Sequence, residues 1–160
     1  MRTNTFAACA AAVLALSECY AKQLSVTDLR VLSAGTLVTM GNPYDISPDV
    51  VVAFALKESS GFNKAPYQDG KSKAWGLFGY HEARWCDHGG TKAEWGRASE
   101  ARQFQVFING LNKYLRNADV HHAKNRLTWI ATAHNSGTGS DVPTEYVKQL
   151  TDILQQLGKE

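Results

Sequence analysis

Glu58 is the residue best placed to do chemistry, because it is an acid that lies on the apolar face of a predicted helix. Ser47 and Pro48 are typical of a helix start and Gly61 of a helix stop, so the sequence predicts a helix over 48–60. Successive helical residues advance by about 100°, which puts Glu58 within roughly 40° of the apolar side chains of this helix. Those side chains are Val51, Phe54 and Ala55.

Both the apolar stripe and the last helical turn disfavour a charged carboxylate at Glu58. Burial raises the pKa of a carboxyl group by desolvation, and the C-terminus of a helix carries partial negative charge. The pattern therefore favours a carboxylic acid that stays protonated near neutral pH and donates its proton as a general acid. The alternative is a Glu at a frayed helix end, with its carboxylate in water.

Glu58-Ser59 is the first of five short motifs that occur in a fixed order along the chain. The others are Gly76-Leu77-Phe78, Ile108-Asn109-Gly110-Leu111 with Tyr114-Leu115, Ala133-His134-Asn135-Ser136-Gly137 and Tyr146-Val147. Over about 46–154 this order resembles that of the lytic transglycosylases, which belong to the lysozyme-like superfamily that includes goose-type lysozyme. Each motif alone is weak, whereas five in order with sensible spacing are fairly specific.

The resemblance implies a fold, an activity and a set of site residues. It implies a mainly α (α+β) lysozyme-like helical domain with a small β-flap beside the substrate cleft. The implied activity is cleavage of the β-1,4 bond between N-acetylmuramic acid and N-acetylglucosamine in peptidoglycan, with a 1,6-anhydro product and Glu58 as the catalytic acid. The residues implied to bind substrate are Ser59, Gly76, Leu77, Phe78, His134, Asn135 and Tyr146. No cofactor and no metal ion is implied.

Two of these residues also have an ordinary structural interpretation. Asn135 precedes a glycine, which is typical of a helix C-cap or turn, while the resemblance implies that it holds a sugar N-acetyl group. Tyr146 begins an apolar stripe on the last predicted helix, so its ring is expected to face the core and its hydroxyl to need a partner. In the resembling family that hydroxyl approaches the catalytic acid.

Two positions depart from the family pattern. Gly79 stands where a Gln usually closes the second motif, which removes a side-chain amide expected in the sugar cleft. His134 stands where the third motif usually has Tyr, which keeps an aromatic polar ring but makes it titratable.

Two other functions are compatible with the same residues. Asp69 and Glu82 are the acids close enough in sequence to act as a second carboxylate that orients a water molecule. Such a group would make the protein a hydrolase, meaning a muramidase such as a lysozyme or endolysin, although Asp69-Gly70 is also a turn signal. Gly79 is compatible with a third function, a non-catalytic glycan-binding component of a secretion apparatus or phage particle.

The predicted elements surround these motifs with helices. Apolar periodicity and capping residues predict helices over 25–40, 48–60, 81–87, 100–117 and 125–134, with a last one from Pro143. The helix over 100–117 is expected to be the buried central one. An irregular flap of two or three strands is predicted at 64–73, and the aromatic residues after it are favoured as core over sugar contacts. These are Trp75, Phe78, Tyr80 and Trp85.

Composition sets further limits. A chain of 160 residues suits one domain with a real core, predicted here over 22–160. A net charge of +2 argues against a nucleic-acid partner, for which a basic stripe is expected. We expect a monomer whose partner is the peptidoglycan glycan strand.

His121-His122 is more typical of a surface than of a metal site, since neighbouring helical residues point apart.

Residues 1–21 have the form of a secretory signal peptide, with Arg2 before an Ala-rich apolar run over 6–16 and a small residue, Ala21, at the cleavage position. The alternative is an ordinary first helix of the domain. If Cys9 and Cys19 leave with a signal, Cys86 remains alone; if they stay, no bridge can be inferred from spacing. A signal favours an exported periplasmic or cell-envelope enzyme that serves a secretion machine or remodels the wall. The other origin is a phage lysis enzyme or virion component.

Overall fold

The computed structural model describes residues 22–159. The predicted signal peptide, with Cys9 and Cys19, lies outside these residues. Within them, none of the helices combines the length and apolar character needed to cross a membrane. Cys86 is an exposed free thiol.

Residues 22–159 form a mainly helical structure with one small antiparallel sheet. The elements are α1 (Val26–Met40), α2 (Pro48–Ser59), β1 (Tyr67–Asp69), β2 (Ser72–Ala74), α3 (Glu82–Asp87), α4 (Glu100–Val120), α5 (Arg126–Ser136) and α6 (Glu145–Leu157). All six predicted helices are therefore confirmed, and the flap has two strands.

Capping residues explain where the helix ends differ from the predictions. The final helix begins after Thr144, whose hydroxyl accepts a hydrogen bond from the Val147 amide, so Pro143 precedes the helix. The fifth helix runs on to Ser136, because Gly137 adopts the left-handed conformation that caps it. Asn135 therefore lies in the last turn of α5 and is not its cap.

The helices pack so that the C-terminal end of α2 is surrounded. Helix α2 lies between α1 and α6, while α5 packs on both α4 and α6. Helix α4 is the buried central helix, as predicted. Every apolar residue predicted to face inward from it is buried, namely Phe104, Phe107, Ile108, Leu111, Tyr114 and Leu115. Their burial gives the rigid base on which the ends of α2 and α5 are held.

The hairpin and the loop after it close the remaining side of this end. Strands β1 and β2 pair with Tyr67 opposite Ala74. The backbones of Trp75 and Tyr80 then exchange two hydrogen bonds of 3.1 and 2.9 Å, which closes the loop between them. The four aromatic residues predicted as core, including Phe78 and Trp85, are all buried.

Candidate active site

Glu58 lies in the last turn of α2, where its carboxyl group is held by side chains from two other helices. The hydroxyl of Tyr146 on α6 donates a short hydrogen bond to Oε1 of Glu58. Nε2 of His134 on α5 lies 3.4 Å from the same oxygen. The side chain of Glu58 is 23% exposed, so the carboxyl group is held from inside the protein and open on one side.

These two contacts reverse the predicted acidity of Glu58. Burial does act to raise the pKa of the Glu58 carboxyl group, as the sequence suggested. The hydrogen bond and positive charge contributed by His134, the hydrogen bond from Tyr146 and the charge of Lys57 outweigh it, and the pKa lies below its ordinary value. The prediction of an acid kept protonated near neutral pH in the free protein is therefore wrong.

Tyr146 is a fixed donor in this cluster. Burial raises the pKa of its hydroxyl, and the negative charge of Glu58 raises it further, so the hydroxyl stays protonated. The ring packs beside Phe54 of α2 at a centroid distance of 6.4 Å, and Nζ of Lys57 lies 4.9 Å from its centroid. Tyr146 therefore orients the carboxyl group of Glu58 from a position that packing fixes.

A small cavity of about 120 Å³ opens beside the carboxyl group. The residues that line it with Glu58 are Asp69, Gly79, His81, Arg84, His134 and Asn135. Asn135 is exposed, so its side-chain amide can reach a ligand there. On the hairpin side, Oδ2 of Asp69 lies 3.0 Å from Nε2 of His81. A second carboxylate therefore borders the same cavity as Glu58.

Gly79 leaves the outer oxygen of Glu58 accessible. A Cβ atom at this position would lie 3.1 Å from Oε2 of Glu58 and 3.5 Å from the hydroxyl of Tyr67. The backbone of Gly79 also has φ of +60°, which disfavours any L side chain. The Gln of the family pattern would thus be strained here, and its side chain would start against the carboxyl group.

Four residues implied to bind substrate do not present their side chains to the cavity. The Ser59 hydroxyl is buried and donates to the Ala55 carbonyl at 2.9 Å. Leu77 is buried, and Phe78 stacks on Phe107 at a centroid distance of 4.0 Å. Gly76 packs against Gln103, with no room for a Cβ atom. Their side chains therefore have a packing role, Ser59 within α2 and the other three in the loop after the hairpin, and contact with a ligand through their backbone stays a prediction.

Gln103 and Arg84 are two residues that sequence reasoning missed. Gln103 is buried on α4, accepts a hydrogen bond of 2.9 Å from the Leu77 amide and donates one of 3.0 Å to Asn63. Arg84 on α3 donates to the backbone carbonyl of His134. The sequence signal for Gln103 was a Gln inside the apolar pattern of α4. Nothing in the local sequence marks Arg84.

Arg84 also borders a larger neighbouring cavity of about 650 Å³ between α3, α4 and the end of α5. Its lining includes Lys113, Tyr114 and Trp129 and the glycine-rich segment after α5. This cavity is larger than the one that contains Glu58, and the two adjoin at the guanidinium group of Arg84. Together they provide room for more than one unit of an extended ligand.

Among residues 22–159, no three His, Cys, Asp or Glu side chains are grouped so that they could hold a metal ion. His121 and His122 are exposed, and the ring of His121 stacks on Trp129 at a centroid distance of 5.4 Å. No protein-family model matches the chain, and neither a curated protein nor a solved structure matches it significantly. Function is therefore inferred from the arrangement around Glu58 and the order of the motifs.

Proposed function

We propose that the protein is a peptidoglycan lytic transglycosylase with a lysozyme-like fold, acting in the cell envelope. Its reaction would cleave the β-1,4 bond between N-acetylmuramic acid and N-acetylglucosamine and leave a 1,6-anhydro end. Glu58 is the proposed acid and base. Export by a bacterium and release from a phage are both consistent with this activity.

One observation carries the proposal: the Glu58 carboxyl group is held through one oxygen by neighbouring side chains, and its other oxygen faces the cavity. Tyr146 and His134 both contact Oε1, while Oε2 lies beside Gly79 at the cavity. A proton donor has to be held in a fixed geometry within reach of the bond that it breaks. Each of three helices, α2, α5 and α6, contributes one side chain to this arrangement.

The proposed reaction uses Glu58 twice. Its proton passes to the glycosidic oxygen as the bond from that oxygen to C1 breaks, and the N-acetyl oxygen of the muramic acid unit attacks C1. The Glu58 carboxylate then removes the proton of the C6 hydroxyl as O6 attacks C1 and displaces the N-acetyl oxygen. Glu58 is protonated again, and no water is consumed, so one carboxyl group suffices.

The donors behind Glu58 assist the first step. Proton transfer leaves a carboxylate, and Tyr146 and His134 are already in place to stabilise that negative charge. A sugar in the cavity also covers Oε2 and removes its water, which acts to raise the pKa of the carboxyl group and to load the proton. Asn135, at the edge of the cavity, is the proposed partner of the N-acetyl group.

A second function, hydrolysis, is favoured by the position of Asp69. This carboxylate borders the same cavity as Glu58 and contacts His81. A water molecule held there could attack C1 directly, with Asp69 accepting its proton as a general base. The product would then be a hydrated reducing end, as for a muramidase.

Digestion of purified peptidoglycan, with mass spectrometry of the products, tests the two functions. Anhydro ends are expected from the transglycosylase, and hydrated ends without anhydro product would establish the hydrolase instead. Asp69→Asn is the matched variant: it should leave anhydro formation intact and abolish hydrolysis. If the protein releases no fragments but sediments with insoluble peptidoglycan, the protein is a glycan-binding component and the enzyme proposal is wrong.

A further inference from the structure

His134 and Tyr146 meet on one oxygen of Glu58, but only His134 can carry a charge into the cluster. Nε2 of His134 is 3.4 Å from Oε1. A neutral ring with hydrogen on Nε2 brings a polar N–H group close to this oxygen, and a protonated ring forms an ion pair with it. Tyr146, which stays protonated, provides a hydrogen bond alone.

The His134 ring is enclosed, which makes its contact with Glu58 strong. The residue is 4% exposed, and its ring meets Phe54 and Phe107 edge to face at centroid distances of 5.2 and 5.4 Å. Among residues 22–159, Nδ1 has no hydrogen-bond partner. Water screens a contact between buried groups less than one at the surface. The interaction of His134 with the protein's polar groups is thus concentrated on Glu58 and on its own backbone.

We propose that His134 is a positioning residue that holds Glu58 as a carboxylate in the free protein and thereby shifts the proposed cleavage to acidic pH. The first part depends only on the geometry of the pair. The second part depends on the function proposed above, since it concerns the pH at which the acid is loaded for catalysis.

Two cations near the pair act on Glu58 in the same direction as His134, and one acid, Asp69, acts against it. Lys57 on α2 adds to the positive potential at Glu58. Arg84 on α3 is engaged with the carbonyl of His134. Asp69 on the hairpin is the nearby acid, and His81 contacts it at 3.0 Å.

Three further titratable groups near the pair, two phenols and one histidine, are uncharged near neutral pH. Burial raises the pKa of Tyr67 on the hairpin and of Tyr80 in the following loop, so both phenols stay protonated. Burial lowers the pKa of His88 beyond α3 to about 4, so it stays neutral. Helix α4 faces the pair with the apolar ring of Phe107. His134 is therefore the group whose removal should change the protonation of Glu58 most.

Holding Glu58 as a carboxylate has two opposite effects on a proton donor. The carboxylate that forms during proton transfer is stabilised, which speeds the step once the acid is loaded. The acid is loaded over a narrower range, because a lower pH is needed to protonate it. The expected profile is a high rate at acidic pH that declines towards neutrality.

Two variants separate the charge of the His134 ring from its N–H group, which faces Oε1 of Glu58. His134→Phe fits the aromatic surroundings and removes both, while His134→Gln keeps a donor and removes the charge. We would titrate the Glu58 carboxyl carbon by NMR in ¹³C-labelled protein from about pH 3 to pH 8. The titration midpoint of Glu58 should rise from wild type to His134→Gln and again to His134→Phe. His121→Phe is the control and should leave the midpoint unchanged, because His121 stacks on Trp129 and does not line the cavity at Glu58.

Activity on purified peptidoglycan gives the second readout. In His134→Phe the falling limb of the pH–rate profile should move to higher pH, while the peak rate drops about tenfold through loss of one charge-assisted contact to the carboxylate. A purely structural role would lower the rate at all pH values without moving the limb. An unchanged Glu58 midpoint in both variants would overturn the proposal. A midpoint that moves in a protein without cleavage activity would support the pair and contradict the proposed enzyme.

Discussion

His88 and His134 occupy similar buried, aromatic surroundings, but their hydrogen-bond partners differ. Both residues are 4% exposed. Nδ1 of His88 lies 2.9 Å from the hydroxyl of Tyr80, and its ring meets Tyr114 edge to face. Nε2 of His134 faces the carboxyl group of Glu58 instead. The nearest acid to His88 is Asp87, whose carboxylate is 3.8 Å away and largely in solvent.

The difference shows that the partner decides what a buried histidine does. The hydrogen-bond partner of His88 is a neutral phenol. Burial lowers the pKa of His88 to about 4 and Asp87 only partly offsets this, so the ring is neutral near neutral pH. With a half-buried carboxylate beside it, His134 belongs to a polar cluster that borders the small cavity. The first histidine is a packing element that Gly110 makes room for, and the second belongs to the candidate site.

The largest effect should come from removing the carboxylate that distinguishes the two surroundings. Glu58→Gln keeps the size and an acceptor for Tyr146 but cannot donate a catalytic proton, so wall-cleaving activity should fall by about 10²- to 10⁴-fold. Dye release from labelled peptidoglycan measures this, and circular dichroism should show an unchanged fold. Activity within a few fold of wild type would contradict a catalytic Glu58.

Below pH 6.5 the neutral His88 should make the folded protein less stable. The unfolded chain takes up a proton near pH 6.5, whereas the folded protein does so only near pH 4. The unfolded state therefore binds more protons in this interval, and the free energy of unfolding decreases as pH falls from about 6.5 to about 4, by up to about 3 kcal/mol.

His88→Gln is the variant that isolates this term from the carboxylates that titrate in the same range. Urea unfolding at several pH values should show a shallower decline for the variant than for wild type. Equal declines would mean that His88 is protonated in the folded protein, and the contrast with His134 would then be lost.

Tyr80→Phe should weaken the fold without touching the proposed chemistry. It leaves Nδ1 of buried His88 without its partner, which costs about 1–3 kcal/mol of unfolding free energy. Peptidoglycan cleavage at a temperature well below unfolding should stay within a few fold of wild type. A loss of activity as large as that of Glu58→Gln would mean that the two histidine clusters are not independent.

The smallest effect concerns the glycine beside Glu58. Gly79→Ala places a Cβ atom at φ of +60°, which costs about 1–2 kcal/mol, and at 3.1 Å from Oε2. Gly35→Ala is the matched control, because Gly35 lies inside α1 with nothing within 4 Å of the added atom, and it should stabilise by about 0.5–1 kcal/mol. Thermal unfolding of both variants should therefore shift in opposite directions. A stabilising Gly79→Ala would mean that the loop relaxes and that the cavity is not sterically defined there.

Local patterns predicted the helices and the position of Glu58, because those depend on neighbours a few residues away. The apolar spacing of α4 identified its buried face, and Ser47 with Pro48 marked the start of α2. The hairpin followed from Asp69-Gly70. Each of these signals lies within one element, where geometry is set by chain connectivity.

The acidity of Glu58 could not be predicted in this way, because it depends on contacts between distant residues. Tyr146 is 88 positions further along the chain, and Arg84 contacts a carbonyl 50 positions away. The sequence indicated the burial that raises the pKa of the carboxyl group, and the resemblance implied the approach of Tyr146, but neither indicated that His134 and Tyr146 together outweigh the burial. Likewise the sequence left Asp69 open as a turn residue or a second carboxylate, since its contact with His81 joins residues that are 12 positions apart.

The contacts on Oε1 also restrict the direction from which a ligand can meet the carboxyl group. A half-turn of the carboxylate only exchanges two equivalent oxygens, so one oxygen contacts Tyr146 and His134 in either orientation. Only Oε2 is then presented outward, past the bare backbone of Gly79. In the proposed reaction the glycosidic bond would therefore approach past Gly79, so the same face of every substrate unit would receive the proton.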